Sequence, residues 1–357
     1  MPCTGSAILL PMVRHKNIPI FIPHRGCPNQ CVFCNQKTIS GSCGYTLSSV
    51  KADIDAALAA GKATDEVEIA FFGGSFTGID RKEMIDLLSL AHSYLQSGRI
   101  CGIRLSTRPD YITKEILRIL AVYGVTDIEL GVQSLDDGVL SACRRGHTAK
   151  ETEYACRLIL DHGSFTLVGQ IMLGLPDATS HTEEETVRRL LTLGVRHFRI
   201  YPTVVLRNTP LATQLSEGTY TPLSTEDAVK RAAKILRLIQ DAGGTCLRIG
   251  LCENEELHTD DGILEGPYHP AFGELVMSEL FLESCQEALD TIETDGKRIT
   301  LYIPKGCLSK AIGQKRRNIQ RLTEIYHTRQ IRFIESDALS GYCVRVQEEN
   351  SIASQIT

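Results

Sequence analysis

The chain has no run of 18 uncharged apolar residues, so its sequence offers no membrane-spanning helix. It opens Met1-Pro2-Cys3-Thr4-Gly5-Ser6, without a basic stretch leading into an apolar one, so no secretory signal is read there. Acid is almost missing from residues 297–333, where Glu324 stands alone against ten Lys and Arg. That stretch carries +9 in a chain of net charge −5, which leaves −14 on the remainder. A basic end on a mildly acidic body fits a polyanionic partner at that end. Cysteine, by contrast, is plentiful at 13 residues. Without a secretory signal, that count points to reduced thiols in the cytoplasm rather than a disulfide framework. It also suits a cell that meets little oxygen. With 357 residues, 43% apolar and 23% charged, the chain has enough for a sizeable core and up to two domains.

Three cysteines carry the chemistry. Cys27, Cys31 and Cys34 stand at C-x3-C-x2-C, just after an apolar run at 19–23 that reads as a buried strand. Thiolates are the usual ligands of iron–sulfur clusters, and three of them hold three irons of a four-iron cubane. The fourth iron is then open to a ligand that is not a protein thiolate. Zinc, or thiols without a metal, are the other readings. Zinc prefers four ligands, and the fourth candidate, Cys43, lies in a Gly/Ser-rich stretch.

With Phe33 immediately before the last cysteine, the loop resembles the signature of the radical S-adenosylmethionine (radical SAM) enzymes. The resemblance implies a [4Fe–4S] cluster on Cys27, Cys31 and Cys34. Its open iron would chelate the methionine amino and carboxylate groups of S-adenosyl-L-methionine. One electron then cleaves the sulfonium and yields a 5′-deoxyadenosyl radical. A one-electron donor such as flavodoxin or ferredoxin is implied as a partner.

The rest of the body alternates. Strands are predicted at 67–72, 102–107, 126–130, 165–172 and 195–200, and helices at 48–60, 80–96, 114–123, 149–160 and 182–193. Ser48 and Ser49 are the cap candidates of the first helix. Six strand–helix repeats make βα units and a parallel sheet. The radical SAM resemblance gives the repeat its shape, an α/β fold with a partial (β/α)6 TIM-like barrel. Ligand-binding residues of such barrels lie at the C-terminal ends of strands. Gly73-Gly74-Ser75 is at one such end. Two glycines let backbone approach a ligand, or simply make a tight turn. The family carries a Gly-Gly-acid motif there that binds the cofactor's amino group through backbone carbonyls, with Ser75 here in place of the acid.

Gln133-Ser134 and Arg145-Gly146-His147 are similar to the subgroup that contains the oxygen-independent coproporphyrinogen oxidases and the Elongator catalytic subunit. The similarity implies that Gln133 reaches the cofactor ribose and Arg145 its methionine carboxylate, a charge-assisted pairing. Gln170 stands where the porphyrinogen oxidases have an aspartate and can bond a ribose hydroxyl. Ordinary βα-loop polarity is the alternative for all three. Arg199 and Tyr201 face substrate or pack. His24 and Arg25 shape the cysteine loop. Cys246, Cys252, His258 and His269 are spaced too irregularly for a second metal site.

Towards the C-terminus, a helix at 224–241, a strand at 246–249, a loop at 262–270 and a long helix at 272–292 are predicted. A radical SAM barrel over 1–265, a connecting helix over 266–295 and a small α+β unit over 296–357 follow. The last unit reads as a strand at 298–303, helices at 308–312 and 317–326, and strands at 330–334 and 342–346. This β-α-α-β order, with Gly313-Gln314-Lys315-Arg316 at the helix junction, resembles a KH-type RNA-binding module. The KH G-x-x-G loop clamps backbone nucleotides. Here Arg316 replaces the second glycine, and Lys315, Arg316 and Arg317 are the residues implied to neutralise phosphates. A solvated helix start or a dimer contact is the alternative.

Barrel and tail together resemble the Elongator-catalytic-subunit-like radical SAM proteins over roughly residues 15–290. That family modifies the wobble uridine of tRNA with acetyl-CoA held by an acetyltransferase domain. The last segment here is too short for such a domain, and the stretch before Cys27 too short for a long tRNA-binding extension. The expected function is therefore a radical SAM enzyme acting on RNA, with tRNA foremost and the basic tail as the grip. A radical SAM enzyme on a small metabolite such as a tetrapyrrole, or a non-catalytic iron–sulfur RNA-binding protein, are the alternatives.

Overall fold

The computed structural model describes residues 15–22, 26–27, 31–35, 45–61, 66–251 and 262–348. His24, Arg25, Cys43, Cys252 and His258 lie outside them. The first strand, β1, is His15–Ile22, followed by α1 Leu47–Ala60. Then come β2 Glu66–Gly73, α2 Arg81–Gln96, β3 Gly102–Thr107, α3 Lys114–Val122 and β4 Asp127–Gln133. A short helix, α4 Asp137–Ala142, precedes α5 Ala149–His162, β5 Thr166–Leu173, α6 Ser180–Leu193 and β6 His197–Pro202. The chain continues through β7 Val205–Leu206, α7 Pro210–Ser216, α8 Thr225–Asp241, β8 Thr245–Ile249 and β9 Ile263–Glu265. Helix α9 Phe272–Leu289 leads to β10 Arg298–Pro304, α10 Leu308–Ile312, α11 Arg317–Tyr326, β11 Gln330–Ser336 and β12 Arg345–Glu348.

Strands β1 to β6 and then β8 form one parallel sheet in sequence order, curled into an open half-barrel. The sheet has seven strands rather than six, because β8 extends the edge beside β6. Side chains alternate along each strand. One set, with Ile20, Ile22, Ile69, Phe71, Ile103, Leu105, Ile128, Leu130, Phe198 and Ile200, is buried in the main apolar core with the helices. The alternate set on β2 to β6 holds Glu68, Arg104, Ser106, Asp127, Glu129, Gln170 and Arg199, which bond to one another as a polar network. A strand hydrophobic on one side and charged on the other fits a barrel wall whose inner face serves chemistry.

The helices start where their caps are. Thr46, Thr148 and Thr179 each close a capping box with the residue three positions on. The cap of α1 is thus Thr46, not Ser48 or Ser49. The Ser49 hydroxyl instead accepts the Thr46 backbone N–H at 3.0 Å. Two features escaped the sequence reading: β9, within the expected loop at 262–270, pairs with β7 as a short antiparallel ribbon, and α4 and α7 are one- to two-turn helices in stretches that it did not assign. No helix among the described residues is long and apolar enough to cross a membrane.

Helix α9 is buried on several sides. Phe272, Val276 and Leu280 pack into the main core, and Leu282, Cys285 and Leu289 pack under the C-terminal sheet. That sheet has the order β11-β10-β12, with β11 parallel and β12 antiparallel to β10. The order β10, α10, α11, β11 is the expected one. The final strand lies at 345–348, later than the expected 342–346. Tyr342 instead packs against the Phe281 ring, with centroids 5.0 Å apart. At the helix junction, Lys315 (φ 50°) and Arg316 (φ 63°) both adopt the left-handed conformation that glycine favours. Asn318 staples the junction by donating to the Ser278 and Ala311 carbonyls.

Candidate active site

The site sits at the C-terminal ends of the barrel strands. Gly26 follows β1 at φ +77°, and a methyl group there would meet the Ser75 carbonyl oxygen and lie 2.7 Å from the Gly78 carbonyl carbon. The Gly73 loop is equally close to the end of β1. Gly73 has φ +114°, a methyl on it would lie 2.6 Å from the Ile22 carbonyl oxygen, and the Gly74 N–H donates to that oxygen at 3.0 Å. The glycines thus let two backbone loops lie directly on each other. The Ser75 side chain is fully buried. Its hydroxyl is 2.9 Å from that of Thr107 and accepts the Arg108 N–H at 3.2 Å. It braces the loop from behind.

The cysteine loop is fastened on its other side. The Val32 N–H donates to the Cys143 carbonyl and the Val32 carbonyl accepts from the Leu211 N–H. Val32 and Phe33 fill an apolar pocket with Val139, Cys143, Leu175 and Leu211. The Asn35 amide donates to the Arg207 carbonyl at 2.9 Å. Burial pushes the Cys27 thiol up, Arg108 and Arg145 pull it down, and Cys31 raises it again. Cys31 is buried, and its sulfur accepts from Arg145 Nη1 at 3.2 Å. The Cys34 N–H turns back onto the Cys31 carbonyl at 3.1 Å. As this loop stands, no three His, Cys, Asp or Glu side chains among the described residues are close enough to share a metal ion. Like thiolates repel and buried thiols stay protonated, so three of them converge only against a cation.

Two guanidiniums flank the Cys27 and Cys31 sulfurs. Arg145 Nη2 donates to the Gly131 carbonyl at 2.6 Å. Arg108, which the sequence reading missed, is 4% exposed. Asp110 holds it in a two-point fork at 2.9 and 3.0 Å, and its Nη2 also reaches the Arg145 carbonyl. Its one signal was position, a charged residue one step beyond a barrel strand. Gln133 lies beside Arg145. A bulge between Gly131 and Gln133 turns Gln133 to φ +63°. A methyl on Gly131 would lie 3.3 Å from Gln133 Nε2 and 3.4 Å from Arg145 Nη2, so both side-chain ends lie against this glycine. Gln133 Oε1 and Arg108 Nη1 are buried with no hydrogen-bond partner among the described residues. An acceptor and a cationic donor held unsatisfied near Cys27 and Cys31 fit a polar ligand that carries negative charge.

Residues 21–190 match the radical SAM superfamily and residues 195–281 match the radical SAM C-terminal domain. The chain belongs to the radical SAM superfamily. Its members use a [4Fe–4S] cluster and S-adenosylmethionine. It is 28% identical over 263 residues to Elongator complex protein 3 from Homo sapiens, covering 61% of this chain and 48% of that protein. It is 25% identical over 190 residues to the tRNA uridine(34) acetyltransferase of Methanocaldococcus infernus, covering 48% of this chain and 35% of that one. The chain therefore spans about half the length, or less, of the curated relatives it matches. In fold it is similar to a solved Elp3 of Methanocaldococcus infernus, with a TM-score of 0.59, 18% identity and coverage of 75% of this chain and 63% of that one.

Gln170 of this radical SAM protein pairs in register with Gly131, next to Gln133 and Arg145. It is part of the polar network of the inner barrel wall, where its amide donates to Glu129 Oε2 at 2.9 Å. Glu129 also receives Arg104 at 3.2 Å and Arg199 at 2.7 Å. Arg199 in turn reaches the Tyr201 hydroxyl at 3.3 Å. Arg199 and Tyr201 are thus engaged with each other and with the wall. Cys246 and His269 are engaged locally: the Cys246 thiol donates to the Arg248 carbonyl, and His269 Nδ1 accepts the Ala271 N–H. In the tail, Arg317 pairs with Glu226 of α8 at 3.5 Å. Lys315 and Arg316 are exposed and in no ion pair among the described residues.

His147 lies behind the two arginines. Burial, with Arg145 and Arg108 beside it, holds its pKa down at about 4. Its Nδ1 is 3.2 Å from the Thr152 hydroxyl, and its Nε2 is buried without a partner among the described residues. The folded pKa lies below the unfolded one, so the unfolded chain takes up the proton first. The cost is absent above the ordinary histidine pKa and grows as the pH falls towards 4. Between pH 7 and about pH 5 the protein is expected to lose about 2 kcal/mol through this group. Urea unfolding at the two pH values reads that loss. His147→Gln should lack this contribution; an unchanged pH slope in that variant would assign it elsewhere.

Proposed function

We propose that this radical SAM enzyme acts on RNA, with tRNA as the substrate class. The observation that carries the catalytic half is the Arg108–Arg145 pair set around Cys27 and Cys31 at the mouth of the barrel. Cys27, Cys31 and Cys34 would hold the cluster. When bound, it supplies one-electron reduction of the sulfonium of S-adenosylmethionine, fed by a one-electron donor such as flavodoxin or ferredoxin. The guanidiniums would offset the negative charge of cluster thiolates, and Arg145 would pair with the methionine carboxylate. Gln133 Oε1 accepts from a ribose hydroxyl. The carbonyls of Gly73 and Gly74 offer acceptors to an ammonium group, with Ser75 bracing them. Gln170, whose amide nitrogen is held by Glu129, would bond a ribose hydroxyl through its amide oxygen.

The RNA half rests on the basic tail and on relatives that bear the names of tRNA-acting proteins. Lys315 and Arg316 carry charge that no acid among the described residues neutralises, and Arg317 shares its charge with Glu226. Residues 296–357 are proposed as the RNA-gripping unit and 1–265 as the barrel, joined through 266–295. The described cysteines form no disulfide, which suits a reducing compartment such as the cytoplasm.

Alanine in place of Cys27, Cys31 or Cys34 is expected to abolish both iron uptake and cofactor cleavage. Iron and sulfide assays on anaerobically reconstituted protein read the first, and chromatography of 5′-deoxyadenosine the second. A single variant that kept full iron and full cleavage would remove that cysteine from the site.

A further inference from the structure

The outer face of the C-terminal sheet is a second basic surface, separate from the helix junction at 313–316. Along β10, Ile299, Leu301 and Ile303 point into apolar clusters with α9 to α11. Alternation then puts Arg298, Thr300 and Tyr302 on the opposite face. Register adds their neighbours. Thr300 pairs with Arg332 of β11 and with Gln347 of β12, and Tyr302 pairs with Ile334 and with Arg345. Arg298, Arg332, Arg345 and Gln347 are exposed and Tyr302 and Ile334 are partly so, while Thr300 between them is buried. The three arginines come from three adjacent strands, about 4.8 Å from one to the next. None is in an ion pair among the described residues, whereas nearby Lys297 and Lys305 are paired with Glu348 and Asp337. No acid among the described residues is on this face. The Arg345 guanidinium lies over the Tyr302 ring, 4.9 Å from its centroid, and the Tyr302 hydroxyl donates to Gln347 Oε1 at 2.9 Å. The ring is therefore held in place, with a planar cation stacked on it.

We infer that this sheet face binds single-stranded RNA, with Arg298, Arg332 and Arg345 on phosphates and the Tyr302–Arg345 stack under a base. Flat aromatic and guanidinium surfaces on a sheet, ringed by unpaired cations, are what splayed bases and a phosphate backbone require. A lipid surface would need more apolar area than Ile334 supplies. The inference rests on the RNA reading above and places the strand on the sheet rather than on the junction loop alone.

The test uses the full chain and a fluorescent, unstructured RNA of about 15 nucleotides, read by anisotropy over a salt series. The R298Q/R332Q/R345Q variant changes only exposed side chains. It is expected to lose at least about tenfold in affinity near 0.1 M salt, and its log K against log salt slope should fall by about 2. Tyr302→Leu is expected to lose about tenfold with the slope unchanged, because stacking releases no counterions. The K315Q/R316Q variant serves as the comparison for the junction loop. Affinity and slope unchanged in the triple variant would overturn the inference, whatever K315Q/R316Q shows. Equal or tighter binding of single-stranded DNA of the same sequence would overturn the RNA assignment. A wild-type chain that binds no RNA fails both this inference and the RNA reading. A chain that binds RNA equally well with the face neutralised fails this inference alone.

Discussion

Glu129→Ala is expected to destabilise the protein by about 3–5 kcal/mol, the cost of leaving buried charge uncompensated. Glu129 is fully buried on the inner wall and is the meeting point of two guanidiniums. Arg104 has other acids, Glu68 and Asp127, at 3.0 and 3.1 Å. Arg199 pairs with Glu129 at 2.7 Å and also reaches the Tyr201 hydroxyl and the Phe72 ring. Alanine would also release the Gln170 amide and the Ser106 hydroxyl. Glu129→Gln keeps an acceptor but removes the charge, and should cost less. Denaturant unfolding of the three proteins checks the order. A cost below about 1 kcal/mol for alanine would show that the inner wall is wet enough to screen its own charges. A second consequence is functional: Gln170 would lose the partner that orients it.

Gly26→Ala carries the largest expected effect on the site itself. Two penalties add there. A non-glycine residue at φ +77° costs about 1–2 kcal/mol. The new methyl group would also meet backbone atoms of Ser75, Gly78 and Ile79, the last at 2.8 Å, and backbone cannot step aside as a flexible side chain can. Overpacking of this kind costs roughly 1–3 kcal/mol more. The two loops must part, so iron uptake is expected to be lost while far-ultraviolet circular dichroism still shows the barrel. Gly98→Ala separates the two causes. Gly98 has φ +71° but nothing within 4 Å of a methyl, so it should lose about 1–2 kcal/mol and load iron normally. Normal iron uptake by Gly26→Ala would show that the loop contact is dispensable.

Much of the barrel was legible because its signals are local. The alternation around Phe71, Leu105 and Ile200 marks strands buried on one side, and the C-x3-C-x2-C spacing and the paired glycines need no partner to be recognised. Boundaries were less legible. Ser48 and Ser49 read as the caps of α1, and only the hydrogen bond from the Ser49 N–H to the Thr46 hydroxyl shows that the helix starts earlier. The β7–β9 ribbon is two and three residues long, too short for any period to show. The residues missed in the site are those whose role depends on tertiary register. Nothing near Arg108 in sequence says that Asp110 will fork it towards Cys27 and Cys31. Nothing near Gln170 says that Glu129, one strand away, will claim its amide. Ser75 stands where the family carries an acid, and only the fold shows that its hydroxyl packs on Thr107 and the Arg108 N–H. Arg316 occupies a glycine's place, and the backbone there keeps a glycine-like φ of 63°.

The most direct test of the account is 5′-deoxyadenosine formation by the anaerobically reconstituted chain, given S-adenosylmethionine and dithionite, with and without total tRNA. The account predicts cleavage that depends on Cys27, Cys31 and Cys34 and rises when tRNA is added. No cleavage by protein with an intact cluster, or cleavage indifferent to tRNA, would contradict it.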